Sequence, residues 1–386
     1  MTAALYIHIP FCRSRCAYCD FFSTTREPEM PTYVQALCHE VEARRSELPH
    51  ARVRTIYIGG GTPSLLSPTL LQQILNTIYA NYEVDADAEV TMEMNPDDLD
   101  PPPAPPVMER SRLREVNRVS LGIQTFDDQL LRLIHRRHDS ATAIQAVRHL
   151  QAAGIRNISI DLIYGLPGQT LAQWERDLDT AFALGVQHLS AYALSYEEGT
   201  LLTRWRDEGR IREASDELSV EMYQRLCQRA REAGFEHYEI SNFALPGYQS
   251  RHNSSYWTGI PYLGFGPGAH SYDGLRMRRA NLPDLNEYLS FYSSPRGGHE
   301  GAVPCSYEQL SDPDLHDEAV MCGLRTREGI DLQQFLARFG QSRLDALLAA
   351  AAPHLSAGRL ILAADHLHLA EHALMTSDDI MSDLMA

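Results

Sequence analysis

Three cysteines lie close together near the start of the chain, in the stretch YIHIPFCRSRCAYCDFF. Cys12, Cys16 and Cys19 have the spacing C-x3-C-x2-C and follow a run with the pattern of a strand. A closed zinc site would need a fourth thiolate or imidazole nearby, whereas three thiolates suit a [4Fe-4S] cluster, because each holds one iron and leaves the fourth open. The spacing therefore predicts an iron-sulfur cluster whose open iron can bind a small molecule, with a zinc knuckle or a chance grouping as the alternative.

The elements that must position these cysteines alternate between strands and helices. Short β-branched runs predict strands, and the stretches of helical period between them predict amphipathic helices. The predicted strands are 4–9, 54–58, 88–93, 117–121, 156–162 and 187–193. The predicted helices include 31–48, 68–82, 140–153 and 170–184. Repeated strand-helix units of this kind predict an α/β fold, either a parallel barrel or an open sheet.

The composition and periodicity of the sequence change twice along the chain, and these changes predict three regions. Residues 1–240 form the barrel, 241–310 a turn-rich, irregular connecting segment, and 311–386 a smaller C-terminal helical, winged-helix-like domain. Within the barrel, the stretch DPPPAPP at 100–106 predicts an exposed, stiff loop, because proline cannot continue a helix. It shortens the next helix to about 107–115.

Residues with suitable chemistry also stand where other predicted strands finish. The glycine-rich turn GGGTP, residues 59–63, follows the second strand, and Glu93 ends the third. Gln124 ends the fourth strand and Asp161 the fifth, while Arg136 lies further along in LIHRRHD. The ends of parallel strands meet on the face where barrel active sites are built, so these residues predict one site with the cysteines.

The composition excludes several function classes. All 34 basic residues are arginine, which excludes a lysine Schiff base and a Walker A loop. The net charge of -17 argues against binding nucleic acid and against direct docking to anionic lipid. Any membrane association would need a protein partner or a local patch of arginines. Seven cysteines are an odd number for a disulfide framework, and no apolar run is long enough to span a bilayer. We therefore expect a protein of the cytoplasm.

The cysteine motif, with Tyr18 directly before the third cysteine, resembles the radical S-adenosylmethionine (SAM) superfamily. In that family the open iron holds the amino and carboxylate groups of SAM, and an electron from the cluster cleaves it to a 5'-deoxyadenosyl radical. The resemblance implies that the cysteines hold a [4Fe-4S] cluster. The SAM contacts that it implies are Tyr6, Tyr18, Gly60, Gly61, Thr62, Glu93, Gln124, Arg136 and Asp161. The expected fold is then a partial (β/α)6 radical SAM barrel.

Further motifs narrow the resemblance within that superfamily. The stretches GGGTPSLL, SLGIQTFDD, DLIYGLPGQT, YEISNFA, RHNSSYW and GFGPGAHSY are similar to the group that contains oxygen-independent coproporphyrinogen III dehydrogenase and the HemW-type heme chaperones. The dehydrogenase pattern has a fourth cysteine where Phe21 stands here, and it has an extension before its first strand, whereas this chain reaches its cluster by Cys12. Both differences favour a chaperone that binds heme and transfers it to acceptor hemoproteins.

Two alternatives to the chaperone stay open. The first is the dehydrogenase, which would oxidatively decarboxylate coproporphyrinogen III. The presence of Gln124, Arg136 and Asp161 supports it, because these residues resemble the contacts of that enzyme to a second SAM. A radical enzyme that acts on an unrelated substrate is the other alternative, because only the HNSSYW region argues for a tetrapyrrole.

The stretch HNSSYW matches the HNxxYW motif that the resemblance associates with heme handling. Imidazole is a common axial ligand of heme iron, and aromatic rings can flank a flat macrocycle. We therefore expect His252 to be an axial ligand, with His270 in GPGAHSY as the second candidate. The other heme candidates of the motif are Asn253, Tyr256 and Trp257. The alternative is a polar turn in which His252 and Asn253 only satisfy local backbone groups.

The resemblance also implies partners. These are heme as bound cargo, acceptor hemoproteins such as respiratory enzymes, and a reductant such as flavodoxin or ferredoxin if SAM is cleaved. Formation of a homodimer is a further expectation. Whether SAM is cleaved in function is left open by the sequence.

Overall fold

The computed structural model describes residues 2–99, 115–293 and 304–385. Strands and helices alternate in its N-terminal part as the sequence predicts. The strands are β1 (Thr2–Ile9), β2 (Arg52–Gly60), β3 (Glu83–Met94), β4 (Arg118–Gln124), β5 (Ile158–Tyr164) and β6 (His188–Ala193). The helices are α1 (Met30–Ala43), α2 (Pro68–Asn81), α3 (Asp128–Leu133), α4 (Ser140–Ala152), α5 (Leu171–Ala183), α6 (Leu201–Asp207) and α7 (Asp216–Glu232). The predicted strands and helices are confirmed, with ends that differ by a few residues.

Strands β1 to β6 run parallel and lie side by side in chain order. Alternate residues of β1, Leu5 and Ile7, are fully buried and share one apolar core with Val34 and Leu37 of α1. Helices that cover a parallel sheet in this way account for the near-continuous apolar runs of its strands. The partial (β/α)6 barrel is therefore confirmed, and its strands end on one common face.

The prediction that 241–310 is irregular is wrong, because this segment extends the sheet. Its elements, with the strand that precedes them, are β7 (Glu236–Glu239), β8 (Asn242–Ala244), α8 (Arg251–Trp257), β9 (Tyr262–Phe265), β10 (His270–Tyr272), β11 (Met277–Asn281), α9 (Leu285–Tyr292) and β12 (Cys305–Gln309). Strand β9 pairs in parallel with the free edge of β1. In the described residues the sheet has the order β12-β11-β10-β9-β1-β2-β3-β4-β5-β6-β8-β7. Strands of three to five residues are too short for periodicity to stand out against their turns.

The C-terminal part has its own apolar core and its own small sheet. Its elements are α10 (Asp312–Leu324), β13 (Ile330–Asp331), α11 (Leu332–Phe339), α12 (Gln341–Ser356), β14 (Leu360–Ala363), β15 (His366–Leu369) and α13 (Ser377–Leu384). The antiparallel sheet has the order β13-β15-β14, so the described residues of this part contain four helices and a three-stranded wing. The winged-helix-like domain is therefore confirmed. Backbone hydrogen bonds of 3.1 Å, from Ile240 N to Arg325 O and from Arg327 N to Tyr238 O, join it to the barrel.

The proline-rich loop predicted at 100–106 and most of the helix predicted at about 107–115 lie outside the described residues. Those two predictions stay predictions. Of the residues that the structure does describe, none forms a helix that is both long and apolar enough to cross a membrane.

Candidate functional site

A cavity of about 420 Å³ lies where the barrel strands end. All three cysteines line it, as do eight of the nine predicted SAM contacts, namely Tyr18, Gly60, Gly61, Thr62, Glu93, Gln124, Arg136 and Asp161. Tyr6 does not line this cavity. Its hydroxyl lies 3.1 Å from His8 Nδ1, and its ring stacks on the ring of Tyr57, which does line the cavity, at 6.1 Å. Tyr6 therefore supports the wall from behind.

Hydrogen bonds link two of the cysteines through other side chains. Arg136 Nη1 donates to Cys16 Sγ at 3.3 Å, and its Nη2 donates to Asn95 Oδ1 at 2.6 Å. Asn95 Nδ2 donates to Thr62 Oγ1 at 3.1 Å, and Thr62 Oγ1 donates to Cys12 Sγ at 3.5 Å. Donors that point at sulfur stabilise the thiolate form, which is the form that binds metal.

The cysteine thiols lie in a partly buried loop after β1. Burial raises the pKa of Cys12, and it raises the pKa of Cys19 to about 11. These thiols therefore ionise readily only when positive charge is close to them. In residues 2–99, 115–293 and 304–385, no three of the His, Cys, Asp and Glu side chains form a group that could hold a metal ion.

The glycine-rich turn after β2 brings the backbone against the cysteine loop. A Cβ added to Gly61 would lie 2.7 Å from Phe11 O and 2.9 Å from Cys12 Sγ, which real Cβ atoms do not do. Gly60 has a φ of 111°, in the region that favours glycine. The turn therefore needs glycine at both positions, and its backbone is accessible from the cavity.

Two half-buried carboxylates face the cavity. Glu93 accepts a hydrogen bond from the Tyr57 hydroxyl at 2.7 Å and one from the backbone N–H of Gly60 at 3.0 Å. Burial raises the pKa of Glu93 to about 7. Asp161 accepts a hydrogen bond from Ser120 Oγ at 3.1 Å, and burial raises its pKa as well. Carboxylates held in this way can accept hydrogen bonds from the amine or hydroxyl groups of a ligand.

Several residues of the cavity were not predicted from the sequence. They are Tyr57, Asn95, Arg118, Ser120, Ser190 and Tyr192. Most of them occupy alternate positions with predicted residues or with one another on the barrel strands, as Ser190 and Tyr192 do on β6. The period of two within each strand could therefore have identified this inner face.

The HNxxYW motif forms the helix α8. His252 is buried, and its ring stacks on the ring of Tyr57 with centroids 4.9 Å apart. Its Nδ1 lies 2.9 Å from Thr55 Oγ1, and its Nε2 lies 2.9 Å from the Tyr256 hydroxyl. Burial lowers the pKa of His252 to about 3. Both ring nitrogens have protein partners, which argues against the axial-ligand prediction. The alternative, a polar turn in which His252 satisfies backbone groups, also differs from the structure, because α8 is a helix and the partners of His252 are side chains.

The other heme candidates are divided between two cavities. Asn253 lines the cavity that contains the cysteines. Tyr256 and Trp257 line a larger cleft, of about 870 Å³, between the barrel and the winged-helix domain. His270 is exposed on β10 and is absent from the described lining of both. The residues of the motif are therefore divided between the two cavities.

Two family models match the chain. The model described as the Radical SAM superfamily matches residues 6–181, which contain the second half of β1, the cysteine loop and strands β2 to β5. The model described as the HemN C-terminal domain matches residues 310–376, which cover most of the winged-helix domain. Both parts of the architecture therefore have counterparts in known families.

Curated proteins of similar sequence span most of the chain. "Heme chaperone HemW" of Lactococcus lactis subsp. lactis is 36% identical over 337 residues, 86% of this chain and 84% of the relative. "Heme chaperone HemW" of Synechocystis sp. is 37% identical over 342 residues, 86% of this chain and 80% of the relative. Among solved structures, coproporphyrinogen III oxidase (HemN) from Escherichia coli matches with a TM-score of 0.83 and 22% identity, over 100% of this chain and 90% of that one. At that identity the likeness concerns the fold.

Proposed function

Since the chain belongs to the HemW family of the radical SAM superfamily, we propose that it is a heme chaperone, which binds heme and transfers it to acceptor hemoproteins. The observation that carries this proposal is the position of the HNxxYW helix. Asn253 lines the cysteine cavity, while Tyr256 and Trp257 line the larger cleft. One short helix thus connects a cofactor cavity to a second compartment large enough for a further ligand.

The cysteine cavity is proposed to hold a [4Fe-4S] cluster on Cys12, Cys16 and Cys19. Such a cluster does not require the three thiolates to share one ion, because each binds a different iron. The donors from Thr62 and Arg136 favour thiolates at this site. Cys12, Cys16 and Cys19 would hold the cluster, and when bound it would supply electron-transfer chemistry next to SAM.

The remaining cavity residues are proposed to bind SAM. The backbone at Gly60 and Gly61 approaches closely without a Cβ in the way, which suits contact with an extended ligand. Glu93 and Asp161 offer carboxylate oxygens to the ligand. Gln124 adopts a φ of 74°, a left-handed conformation that is uncommon for residues other than glycine and that clusters at functional sites. We propose that each of these residues orients the ligand.

The rival function is that of an oxygen-independent coproporphyrinogen III dehydrogenase. Gln124, Arg136 and Asp161 line the cavity, and the fold is similar to that of the oxidase from Escherichia coli. Against it, Phe21 stands where the dehydrogenase pattern has a fourth cysteine, and its side chain is 65% exposed at the cavity. A phenylalanine supplies no ligand atom.

One pair of measurements separates the two functions. Purified protein, reconstituted with iron and sulfide without oxygen, is titrated with hemin and then mixed with an apo-hemoprotein whose spectrum reports heme uptake. The chaperone proposal expects a one-to-one complex that the acceptor depletes. Binding that does not exceed nonspecific adsorption of hemin, together with no transfer, would contradict it. In parallel, conversion of coproporphyrinogen III to protoporphyrinogen with SAM and a reductant would establish the dehydrogenase instead.

The remaining expectations about partners stay predictions. The acceptors, with respiratory enzymes as the expected class, and a flavodoxin or ferredoxin reductant are among them. Formation of a homodimer and location in the cytoplasm, with any membrane association through a partner, are the others.

A further inference from the structure

The larger cleft lies between two parts of the molecule that are held together by backbone hydrogen bonds. Its walls come from α8, β9, β10 and β11 on the barrel side and from α10 and α11 on the winged-helix side. Its volume of about 870 Å³ falls within the range of about 300 to 1,000 Å³ that small-molecule and cofactor sites occupy. The cysteine cavity has about 420 Å³, and the cluster and SAM would take up that space.

Aromatic rings from both sides line this cleft. They are Tyr238, Tyr256, Trp257, Tyr262, Tyr272, Phe335 and Phe339. The rings of Tyr256 and Tyr262 meet edge to face with centroids 4.8 Å apart, and those of Phe335 and Phe339 lie 4.7 Å apart. Flat apolar walls on two sides suit a flat, largely apolar ligand such as a porphyrin.

Positively charged side chains also border the cleft. Arg327 and Arg338 form no ion pair within the described residues, and the guanidinium group of Arg338 lies over the ring of Phe339 at 5.1 Å. Arg278 pairs with Glu318 at 2.7 Å. Guanidinium groups bind carboxylates well, because two N–H groups can reach both oxygens at once. Heme carries two propionates, and Arg327 and Arg338 would suit them.

His366 is the cleft residue with the geometry of an iron ligand. It lies on β15, half-buried, and its Nδ1 lies 3.0 Å from the backbone carbonyl oxygen of Glu328. A carbonyl can only accept, so Nδ1 carries the proton and Nε2 keeps its lone pair. No residue that the structure describes contacts this Nε2 through a hydrogen bond. Histidines that bind metal are usually fixed by such a bond from the other ring nitrogen.

We propose that this cleft is the heme-binding site and that His366 Nε2 is an axial ligand of the heme iron. The assignment rests on the proposed heme-chaperone function and says where the cargo sits. It differs from the sequence-based expectation, because His252 has protein partners at both ring nitrogens. The cleft also contains Cys322, but burial raises the pKa of that thiol, so less of it is thiolate at neutral pH.

The cleft's position gives the HNxxYW motif a role that does not need His252 as a ligand. The ring of Tyr256 forms part of the cleft wall, and its hydroxyl contacts Nε2 of His252. The ring of His252 in turn stacks on the ring of Tyr57, which lines the cysteine cavity. Heme in the cleft and SAM in the cavity would therefore contact two ends of one packed row of side chains.

The test is a hemin titration of the wild-type chain and of His366→Ala, followed by absorbance in the Soret region. We expect the variant to bind hemin about 10-fold or more weakly and to lose the wild-type Soret position. His366→Cys should still bind, with the spectrum of a thiolate-ligated heme, so that the signature follows the residue. His270→Ala, which changes an exposed histidine outside the cleft, is the matched control and should behave as wild type.

Three outcomes would overturn the assignment. The first is an unchanged Soret position and affinity in His366→Ala, and the second is equal loss in His270→Ala. In either case heme binding by the wild-type chain leaves the chaperone function standing. The third is a wild-type chain that does not bind hemin, which would contradict the proposed function and the site with it. Thermal unfolding of each variant verifies that it is folded.

Discussion

Arg136 donates a hydrogen bond from Nη1 to Cys16 Sγ at 3.3 Å, although 120 positions separate them in the chain. The same guanidinium group contacts Asn95, and through Asn95 and Thr62 it is connected to Cys12. The cysteine loop is therefore held from outside, by residues on the ends of β2 and β3 and after α3. This arrangement gives the loop one geometry before any metal binds.

Arg136→Gln is expected to weaken cluster binding. A hydrogen bond to a charged group contributes about 1.5 to 3 kcal/mol, so the loss should correspond to about a 10- to 100-fold weaker hold on iron. The measurement is iron and sulfide per chain after anaerobic reconstitution and a timed challenge with a chelator. Arg132→Gln, at an exposed position of α3, is the control and should keep the wild-type content. If the wild-type chain and both variants retained equal amounts of iron and sulfide, the prediction would be contradicted.

Gly61→Ala is expected to disturb the cysteine loop through crowding. Its Cβ would meet backbone oxygens of Phe11 and Ile9 and the Sγ of Cys12, so either the turn or the loop must shift, at about 1 to 3 kcal/mol. Cluster content should fall along with the free energy of unfolding, which urea denaturation measures. Gly185→Ala is the control, since it has a φ of 66° but no atom within 4 Å of its Cβ. Gly185→Ala should lower the free energy of unfolding and keep its cluster. If this control also lost cluster, the loss in Gly61→Ala would reflect reduced stability and not crowding of the cysteine loop.

Much of the fold could be predicted because its elements carry strong local patterns. The barrel strands are apolar runs closed by glycine or polar residues, and helices such as α5 begin with a capping residue, Thr170, whose side chain bonds the N–H of Gln173. The extension of the sheet by β9 to β12 could not be predicted. Those strands are short, and β9 is set in place by pairing with β1, more than 250 residues earlier in the chain.

The site residues that were predicted from the sequence are distinctive residues at strand ends. The residues that were not predicted are recognisable only from their contacts in the folded chain. Glu93 and Asp161 stand out at strand ends, whereas Asn95 looks like an ordinary turn residue until Arg136 is found next to it. For His252 the sequence showed a polar motif but gave no information on burial. The contacts with Thr55 and Tyr256, which occupy both ring nitrogens, depend on the packing of α8 against β2.

His252→Ala is expected to destabilise the chain without changing the heme spectrum. It removes both side-chain hydrogen bonds and the stacking on Tyr57, leaving a buried cavity, for a cost of about 2 to 4 kcal/mol. Urea denaturation gives the free energy of unfolding, and hemin titration below the unfolding range gives the Soret position. A lost Soret position in a folded variant would restore His252 as a ligand.

The low pKa of His252 adds a dependence on pH. In the folded state the ring stays neutral down to about pH 3, whereas in the unfolded state it takes a proton near its ordinary pKa of 6.5. The histidine therefore makes the wild-type chain less stable as the pH falls from 6.5 toward 3. His252→Gln cannot take up that proton, so its free energy of unfolding should fall less over this range. Parallel curves for the two proteins would contradict the prediction.

Glu93 is expected to make the cluster-free chain less stable as the pH rises, which is the reverse of the effect of His252. Burial raises its pKa from 4.5 to about 7, so between these values the folded state keeps a proton that the unfolded state has lost. The free energy of unfolding should therefore fall by up to about 3 kcal/mol from pH 4.5 to 7 and change little above that range. Glu93→Gln lacks this titration, so its stability relative to the wild-type chain should grow across the same interval. Glu221→Gln, at an exposed position, should show a constant difference, and a constant difference for Glu93→Gln would mean that the carboxylate is already ionised.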